Sequence, residues 1–324
     1  MDDPSTTSTD SQSTSSRPRL SLVQRIRSLS WRRILGVVFT LILFGYLFAT
    51  LAANWQALLA YDWHINPFYL AASLTIYLLS QCLAGSAWHC IVWSMDPQVP
   101  YRQGIKFYLQ SNPAKRVPGL IWYALGRLYL YKGEGVAGAT ISVALTLELV
   151  SMVVGGVIVY LATAWGSTMA IQALRQWWLI FPAAGLIALI LWPGNLYRVV
   201  NWVLVRRGQA PIRSQAGRGD LILWSLLEAG GWVTGGLFIY FLAAGVYPDL
   251  NSSHIVPVVN SWAASGLVAF VALIVPLGLG LKEVTLAYLL SGIVPWPVAI
   301  LISLLGRICS IIGDGIGLLI AGFL

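Results

Sequence analysis

The chain has 324 residues, of which 57% are hydrophobic and only 10% are charged. A soluble domain carries about a quarter charged residues, so this composition excludes an ordinary soluble protein and predicts an all-α, polytopic membrane protein. The 20 Lys and Arg residues exceed the 12 Asp and Glu residues and give a net charge of +8. These basic residues lie in short connections between apolar runs, which argues against a nucleic-acid partner.

The N-terminal 33 residues differ from the rest of the chain. Residues 1–16 are polar and rich in Ser and Thr, and we expect them to be disordered. Residues 17–33 contain six arginines and predict a basic collar at the anionic cytoplasmic leaflet. The next apolar run lacks a small-residue cleavage site, so a signal peptide is not predicted. Residues 34–324 then form a single transmembrane domain.

Apolar runs follow one another along this domain, and a run of roughly 20 residues is long enough to cross a bilayer. The penultimate run is too short to cross alone, so its path and the side of the C-terminus stay open. We predict seven or eight membrane segments, two of them broken. The runs are 34–53, 68–93, 136–165, 177–192, 221–246, 256–275, 284–294 and 297–324.

Lys and Arg are distributed unevenly between alternate connections. The N-terminal segment, residues 94–117 and residues 193–219 hold six, four and five basic residues, while the intervening connections hold only Arg175. Cytoplasmic loops are enriched in Lys and Arg. The pattern predicts a protein of the cell membrane with its N-terminus in the cytoplasm.

Two segments contain helix-breaking residues within apolar sequence. The first, 115–127, contains Pro118, Gly119 and Gly126, and the second, 275–283, contains Pro276, Gly278 and Gly280. Proline removes a backbone donor, and a bent or re-entrant segment can satisfy the freed groups beside a cavity. Such breaks in both halves of a membrane protein indicate a transporter site at a repeat interface. The alternative is that both are ordinary interfacial loops.

Several charged residues lie inside or beside the apolar runs. A charge near the bilayer centre costs ~3 kcal/mol even on insertion scales, so such residues usually face a partner or a wet cavity. We predict one charged cavity, although salt bridges that only hold the bundle together are an alternative. Glu148 and Glu228 are candidates for proton coupling. The buried or flanking charges are Arg127, Glu148, Lys282, Glu283 and Arg307, with Glu228 and Asp314 as secondary candidates.

Small residues predict close helix packing. Gly231 and Gly235 form a GxxxG face, which either packs inside the chain or forms a homodimer. The three cysteines, Cys82, Cys90 and Cys309, lie in apolar segments without disulfide or zinc spacing. No metal or other cofactor is predicted.

The two broken segments resemble motifs of one known family. Residues 115–127 read KRVPGLIWYALGR and residues 273–283 read LIVPLGLGLKE. Both are similar to motifs of the lysylphosphatidylglycerol synthase transmembrane-region family, and the resemblance extends over about residues 34–324. It implies a membrane domain related to the flippase part of the multiple-peptide-resistance factor.

This resemblance implies roles for particular residues. Lys115, Arg116, Arg127, Lys282 and Glu283 match motif positions and would bind or move the lipid, and Glu148 and Arg307 fall where family members tend to be charged. Leu277 replaces the first glycine of the second motif. A soluble synthase domain does not follow the membrane domain within these residues, so we expect no lipid aminoacylation by this chain.

Three functions are compatible with the sequence. The first is a lipid translocase that moves a phospholipid or another anionic or zwitterionic lipid through the charged cavity. No GxxxxGK[ST] run is present, so movement would be facilitated or driven by an ion gradient. The second is a membrane transferase acting on a lipid-linked substrate. The third is a non-catalytic protein that docks a cytoplasmic lipid-modifying enzyme through its basic loops.

Overall fold

The computed structural model describes residues 65–116, 121–164, 217–273 and 280–324, together with short stretches at 45, 48–53, 55–56, 198, 201–202 and 205–206. Several predicted features lie outside these residues. They include the tail and collar, most of run 34–53, and run 177–192. The side chain of Arg116 and the predicted hinge residues Pro118, Gly119, Pro276 and Gly278 also lie outside them.

The four longest described ranges contain eight α-helices and, as predicted, no strand. Two short 3-10 helices, Asn112–Arg116 and Ser252–His254, join them. Each apolar run within the described residues corresponds to a helix, and the ends differ by at most a few residues. The α-helices are α1 (Pro67–Trp93), α2 (Tyr101–Ser111), α3 (Ile121–Gly133), α4 (Gly138–Ala164), α5 (Arg218–Ala244), α6 (Ile255–Leu273), α7 (Leu281–Leu290) and α8 (Trp296–Phe323).

Four of the described helices, α1, α4, α5 and α8, are long and apolar enough to cross a membrane. Each has 27 or 28 residues, and the rise of about 1.5 Å per residue gives each a length above that of the ~30 Å hydrocarbon layer. This supports the predicted membrane class. The structure does not confirm the predicted number of seven or eight segments.

The centre of the fold is an antiparallel pair, α1 with α5. The backbone N–H of Asn66 donates to the carbonyl of Gly245 (3.0 Å). The Ser73 hydroxyl donates to the carbonyl of Phe238 (3.1 Å), and the Ser80 hydroxyl donates to the carbonyl of Gly231 (3.1 Å). Serine hydroxyls of α1 thus bond the backbone of α5 where both helices approach closely.

Helices α2 and α3 form an antiparallel hairpin. Gln103 donates to Glu134 (3.0 Å) at its mouth, and the Phe107 and Tyr131 rings lie 5.0 Å apart further in. The 3-10 helix Asn112–Arg116 begins the tip of the hairpin. This tip meets the middle of the long helices, because Asn112 donates to Asp314 (3.4 Å). The predicted bend at Pro118 and Gly119 lies outside the described residues.

Glycines allow α5 to pack closely against its neighbours. A Cβ at Gly235 would lie 2.5 Å from the Trp262 ring, and one at Gly236 would lie 2.7 Å from the Val259 backbone. Gly235 of the GxxxG face therefore packs against a neighbouring helix of the same chain. At the second break, Gly280 precedes α7 with φ +89°, a conformation that favours glycine.

Candidate functional site

Arg127 is the most deeply buried cation among the described residues, with 0% of its surface exposed. It lies on α3 near the hairpin tip. Its Nη1 donates to Oε2 of Glu148 on α4 (2.5 Å), and its Nε donates to the hydroxyl of Ser111 on α2 (3.1 Å). One guanidinium therefore joins three helices through charge-assisted bonds.

Aromatic rings enclose the Arg127 guanidinium. Its central carbon lies 3.9 Å from the centroid of the Trp88 ring, 4.9 Å from Tyr108 and 5.1 Å from Tyr123. The quadrupole of each ring attracts the cation, and this attraction increases where water is excluded. The planar guanidinium can stack and hydrogen-bond at once, which a lysine cannot do.

Lys115 is a second cation beside Glu148, and we call Arg127, Glu148 and Lys115 the first centre. Its Nζ lies 3.5 Å from Oε1 of Glu148, so the two Glu148 oxygens contact different cations. The Lys115 side chain is 30% exposed, whereas that of Arg127 is 0% exposed. Of the two cations, Lys115 is therefore the one that a ligand can reach without separation of the helices.

Glu228 lies beside this centre on α5. It is 5% exposed, and it is within electrostatic reach of Glu148, Lys115 and Arg127. Its backbone packs against Gly155 of α4, where an added Cβ would lie 3.0 Å from the Glu228 carbonyl carbon. The structure thus places one secondary candidate beside the first centre.

Asp314, the other secondary candidate, organises a second buried network on α8. Its Oδ1 accepts hydrogen bonds from the hydroxyl of Tyr77 (2.6 Å) and the amide of Gln81 (2.7 Å), both on α1. The amide of Asn112 also donates to this oxygen (3.4 Å). Because Ser111 bonds Arg127 and its neighbour Asn112 bonds Asp314, the hairpin tip connects the two networks.

A third cluster contains Glu283 of α7 and Arg307 of α8. They form an ion pair, in which 24% of the Arg307 side chain and 11% of the Glu283 side chain are exposed. The Ser303 hydroxyl also donates to the Glu283 carbonyl (2.8 Å). Nearby, Nζ of Lys282 lies 3.3 Å from the centroid of the Trp262 ring on α6.

The predicted site residues therefore fall into separate clusters rather than around the one cavity that the sequence predicts. Lys115, Arg127 and Glu148 come together, while Glu283 and Arg307 form a pair of their own. Gly126 lies on α3 beside Arg127 and is close to Ser111, 3.9 Å from where its Cβ would stand. The separation arises because the two broken segments belong to different helical hairpins.

Two of the cavities between the described residues differ in size and lining. The larger, of about 900 Å³, lies between the C-terminal end of α1 and the start of α5 and is lined by His89, Trp93, Tyr101, Asp220 and Trp224 among others. It contains none of the predicted site residues. The smaller, of about 280 Å³, is a groove beside Arg307, and its other lining residues within the described stretches are apolar. They are Phe48, Leu51, Leu301, Leu304, Leu305, Ile308 and Ile311.

Sequence reasoning missed the neutral polar residues of the site. Tyr77, Gln81, Ser111 and Asn112 hold the buried charges, yet no charge or motif marks them. Gln81 is the one with a usable signal, since it is an amide in the middle of an apolar run. Polar residues inside a membrane helix usually have a specific partner.

No family model matches the chain, and no curated protein matches it in sequence.

Proposed function

We propose that the chain is a lipid translocase of the cell membrane, which moves a phospholipid or another anionic or zwitterionic lipid between leaflets. Membrane lipids are then its substrates and partners, and its N-terminus faces the cytoplasm. The resemblance of the two broken segments to motifs of the lysylphosphatidylglycerol synthase transmembrane-region family supports the same function.

One observation carries the proposal: Arg307 lines a groove whose other described lining residues are apolar. The groove of about 280 Å³ accommodates part of an acyl chain, and the Arg307 side chain beside it, of which 24% is exposed, supplies a cation for a phosphate. An amphiphile needs this combination, because its charged headgroup and its apolar tail must be bound next to each other.

The acidic partners of the cations suit repeated binding and release. Glu148 and Glu283 already neutralise Arg127 and Arg307 in this state, so each cation remains paired when no lipid is bound. A phosphate that enters exchanges one anionic partner for another, and the freed carboxylate can bind an ammonium group of the headgroup. This exchange avoids an isolated charge in the membrane.

Lipid exchange between leaflets tests the proposal directly. Purified protein is reconstituted into liposomes that carry headgroup-labelled phosphatidylglycerol, phosphatidylethanolamine or phosphatidylcholine. Accessibility of the label to an external quencher is then followed over time. We expect protein-dependent exchange of at least one lipid, and we expect Lys115→Gln to reduce it at least about tenfold, because Lys115 is the accessible cation of the first centre.

Lys132→Gln is the matched control. Lys132 is an exposed lysine at the end of α3 and lies outside the charged clusters, so exchange should stay at the wild-type rate. Folded wild-type protein that exchanges none of the labelled lipids would contradict the proposal. An equal loss of exchange in Lys115→Gln and Lys132→Gln would show that exchange depends on the net positive charge of the protein rather than on the position of Lys115.

A further inference from the structure

The eight described helices form two units with the same element order. Each unit has a long helix, a hairpin of two helices around a break, and a second long helix. The first unit is α1 to α4 and the second is α5 to α8. The first long helices have 27 residues each, and the last have 27 and 28.

The two units meet at equivalent positions. Ser80 is the fourteenth residue of α1 and Gly231 is the fourteenth residue of α5, and these two residues are joined by a hydrogen bond of 3.1 Å. Because α1 and α5 are antiparallel and cross-bonded at their midpoints, a two-fold axis through this point would exchange them. The second unit therefore has the opposite direction to the first.

Close contacts between the units repeat in the same way. Gly155, at position 18 of α4, packs on Glu228 at position 11 of α5, and a Cβ added at Gly155 would lie 2.7 Å from the Ala229 nitrogen. Gly313, at position 18 of α8, packs on Tyr77 at position 11 of α1, where an added Cβ would lie 2.3 Å from the ring. A chance resemblance of helix order would not place two glycines in equivalent contacts.

The hairpins also cross over to the opposite unit in equivalent ways. Helix α2 runs antiparallel to α8, as Arg102 donates to the Phe323 carbonyl (3.0 Å) and Asn112 to Asp314 (3.4 Å). Helix α6 packs on α4 in the equivalent interface, where Asn260 donates to Thr163 (2.9 Å). The eighth residues of α2 and α6 are both aromatic, and each contacts a lysine next to a break. Tyr108 contacts Lys115, which precedes the first break, and Trp262 contacts Lys282, which follows the second.

We propose that the chain is an inverted repeat and that its two Arg–Glu pairs are two counterpart lipid-headgroup sites that open to opposite membrane surfaces. The pairs occupy adjacent positions in the register of the repeat, since Glu148 is the eleventh residue of α4 and Arg307 is the twelfth of α8. Each bonds a partner on the short helix after the break, although acid and base are interchanged: Arg127 on α3 and Glu283 on α7. The inference deepens the proposed function and rests on it for the identity of the ligand.

The two sites are in different states in this structure. The site at Arg127 is closed, because 0% of the Arg127 side chain is exposed. The site at Arg307 is more open, because 24% of the Arg307 side chain is exposed beside its apolar groove. A lipid carrier needs a site that is reachable from each leaflet, and an inverted repeat supplies both from one architecture.

Sidedness of thiol labelling tests this inference. Ser111→Cys and Ser303→Cys place one thiol beside each pair, in a background in which Cys82, Cys90 and Cys309 are replaced by alanine. Sealed vesicles of known orientation are treated with a methanethiosulfonate that carries a sulfonate and does not cross bilayers. Its charge resembles that of a phosphate headgroup. Glu134→Cys and Ser253→Cys, both exposed at the mouths of the two hairpins, identify the two surfaces.

We expect Ser111→Cys to react at least about tenfold faster from the surface that labels Glu134→Cys, and Ser303→Cys from the surface that labels Ser253→Cys. Reaction of both site thiols from the same surface would overturn the inference. So would reaction of neither while the two reporter thiols react. The labelling needs no lipid transport, so its result is independent of the exchange assay, and failure of either proposal can be recognised separately.

Discussion

At the scale of single residues, the buried charges depend on neutral polar neighbours as much as on each other. Arg127 is held by Ser111 and Trp88 as well as Glu148, and Asp314 is held by Tyr77 and Gln81. A buried ion pair on its own often contributes little, because removing two charges from water costs about as much as their attraction returns. The added hydrogen bonds and rings offset that cost.

The first prediction concerns Arg127. Arg127→Lys keeps the charge but loses the planar group that bonds Glu148 and Ser111 together and stacks on Trp88. We expect the free energy of unfolding to fall by about 2 kcal/mol, the usual value of a hydrogen bond to a charged group. Chemical denaturation in detergent measures the change. The exposed Arg218 supplies the control Arg218→Lys, and an equal loss in both variants would contradict the assigned role.

At the scale of helices, glycines decide how closely the long helices approach. Gly313 of α8 faces the Tyr77 ring, while Gly315, two residues on, has nothing within 4 Å of an added Cβ. Helix α8 therefore contains one glycine, Gly313, that the packing of Tyr77 requires, and one glycine, Gly315, where a larger side chain would fit.

The second prediction uses this difference. Gly313→Ala should lower the unfolding midpoint, because the new methyl group would lie 2.3 Å from the Tyr77 ring and displace it from Asp314. Gly315→Ala should leave the midpoint unchanged or raise it slightly, because alanine is the better helix former by up to about 1 kcal/mol. Thermal unfolding of the two purified variants gives the comparison. Gly155→Ala should behave like Gly313→Ala. A loss in one variant only would contradict the equivalence of the two contacts, and a neutral effect in both would contradict the close packing.

The sequence predicts the helices better than it predicts the site. Hydropathy places α1, α4, α5 and α8 within a few residues, because long apolar runs have few alternatives in a membrane. Individual charges such as Arg127 and Glu148 are also identified, since charge is rare in such runs. Their pairing is not, because partners such as Glu283 and Arg307 are 24 residues apart and are brought together by tertiary packing alone.

At the scale of the whole molecule, the repeat gives the broken segments a common explanation. Each lies in a hairpin between two long helices, and each hairpin reaches the long helices of the other unit. Two similar hairpins thereby place one Arg–Glu pair in each unit. The sequence contains only a weak trace of this repeat, because the packing needs glycine or an aromatic ring at a few positions and tolerates many apolar residues elsewhere.

The most direct test of the account removes one pair without leaving an unpaired charge. Glu283→Gln combined with Arg307→Gln neutralises the second site, while Arg127, Glu148 and Lys115 stay intact. If the two sites act in one translocation path, leaflet exchange by the folded double variant should fall at least about tenfold below the wild-type rate. Exchange at the wild-type rate would contradict the account, because lipid would then cross without the site beside α7 and α8.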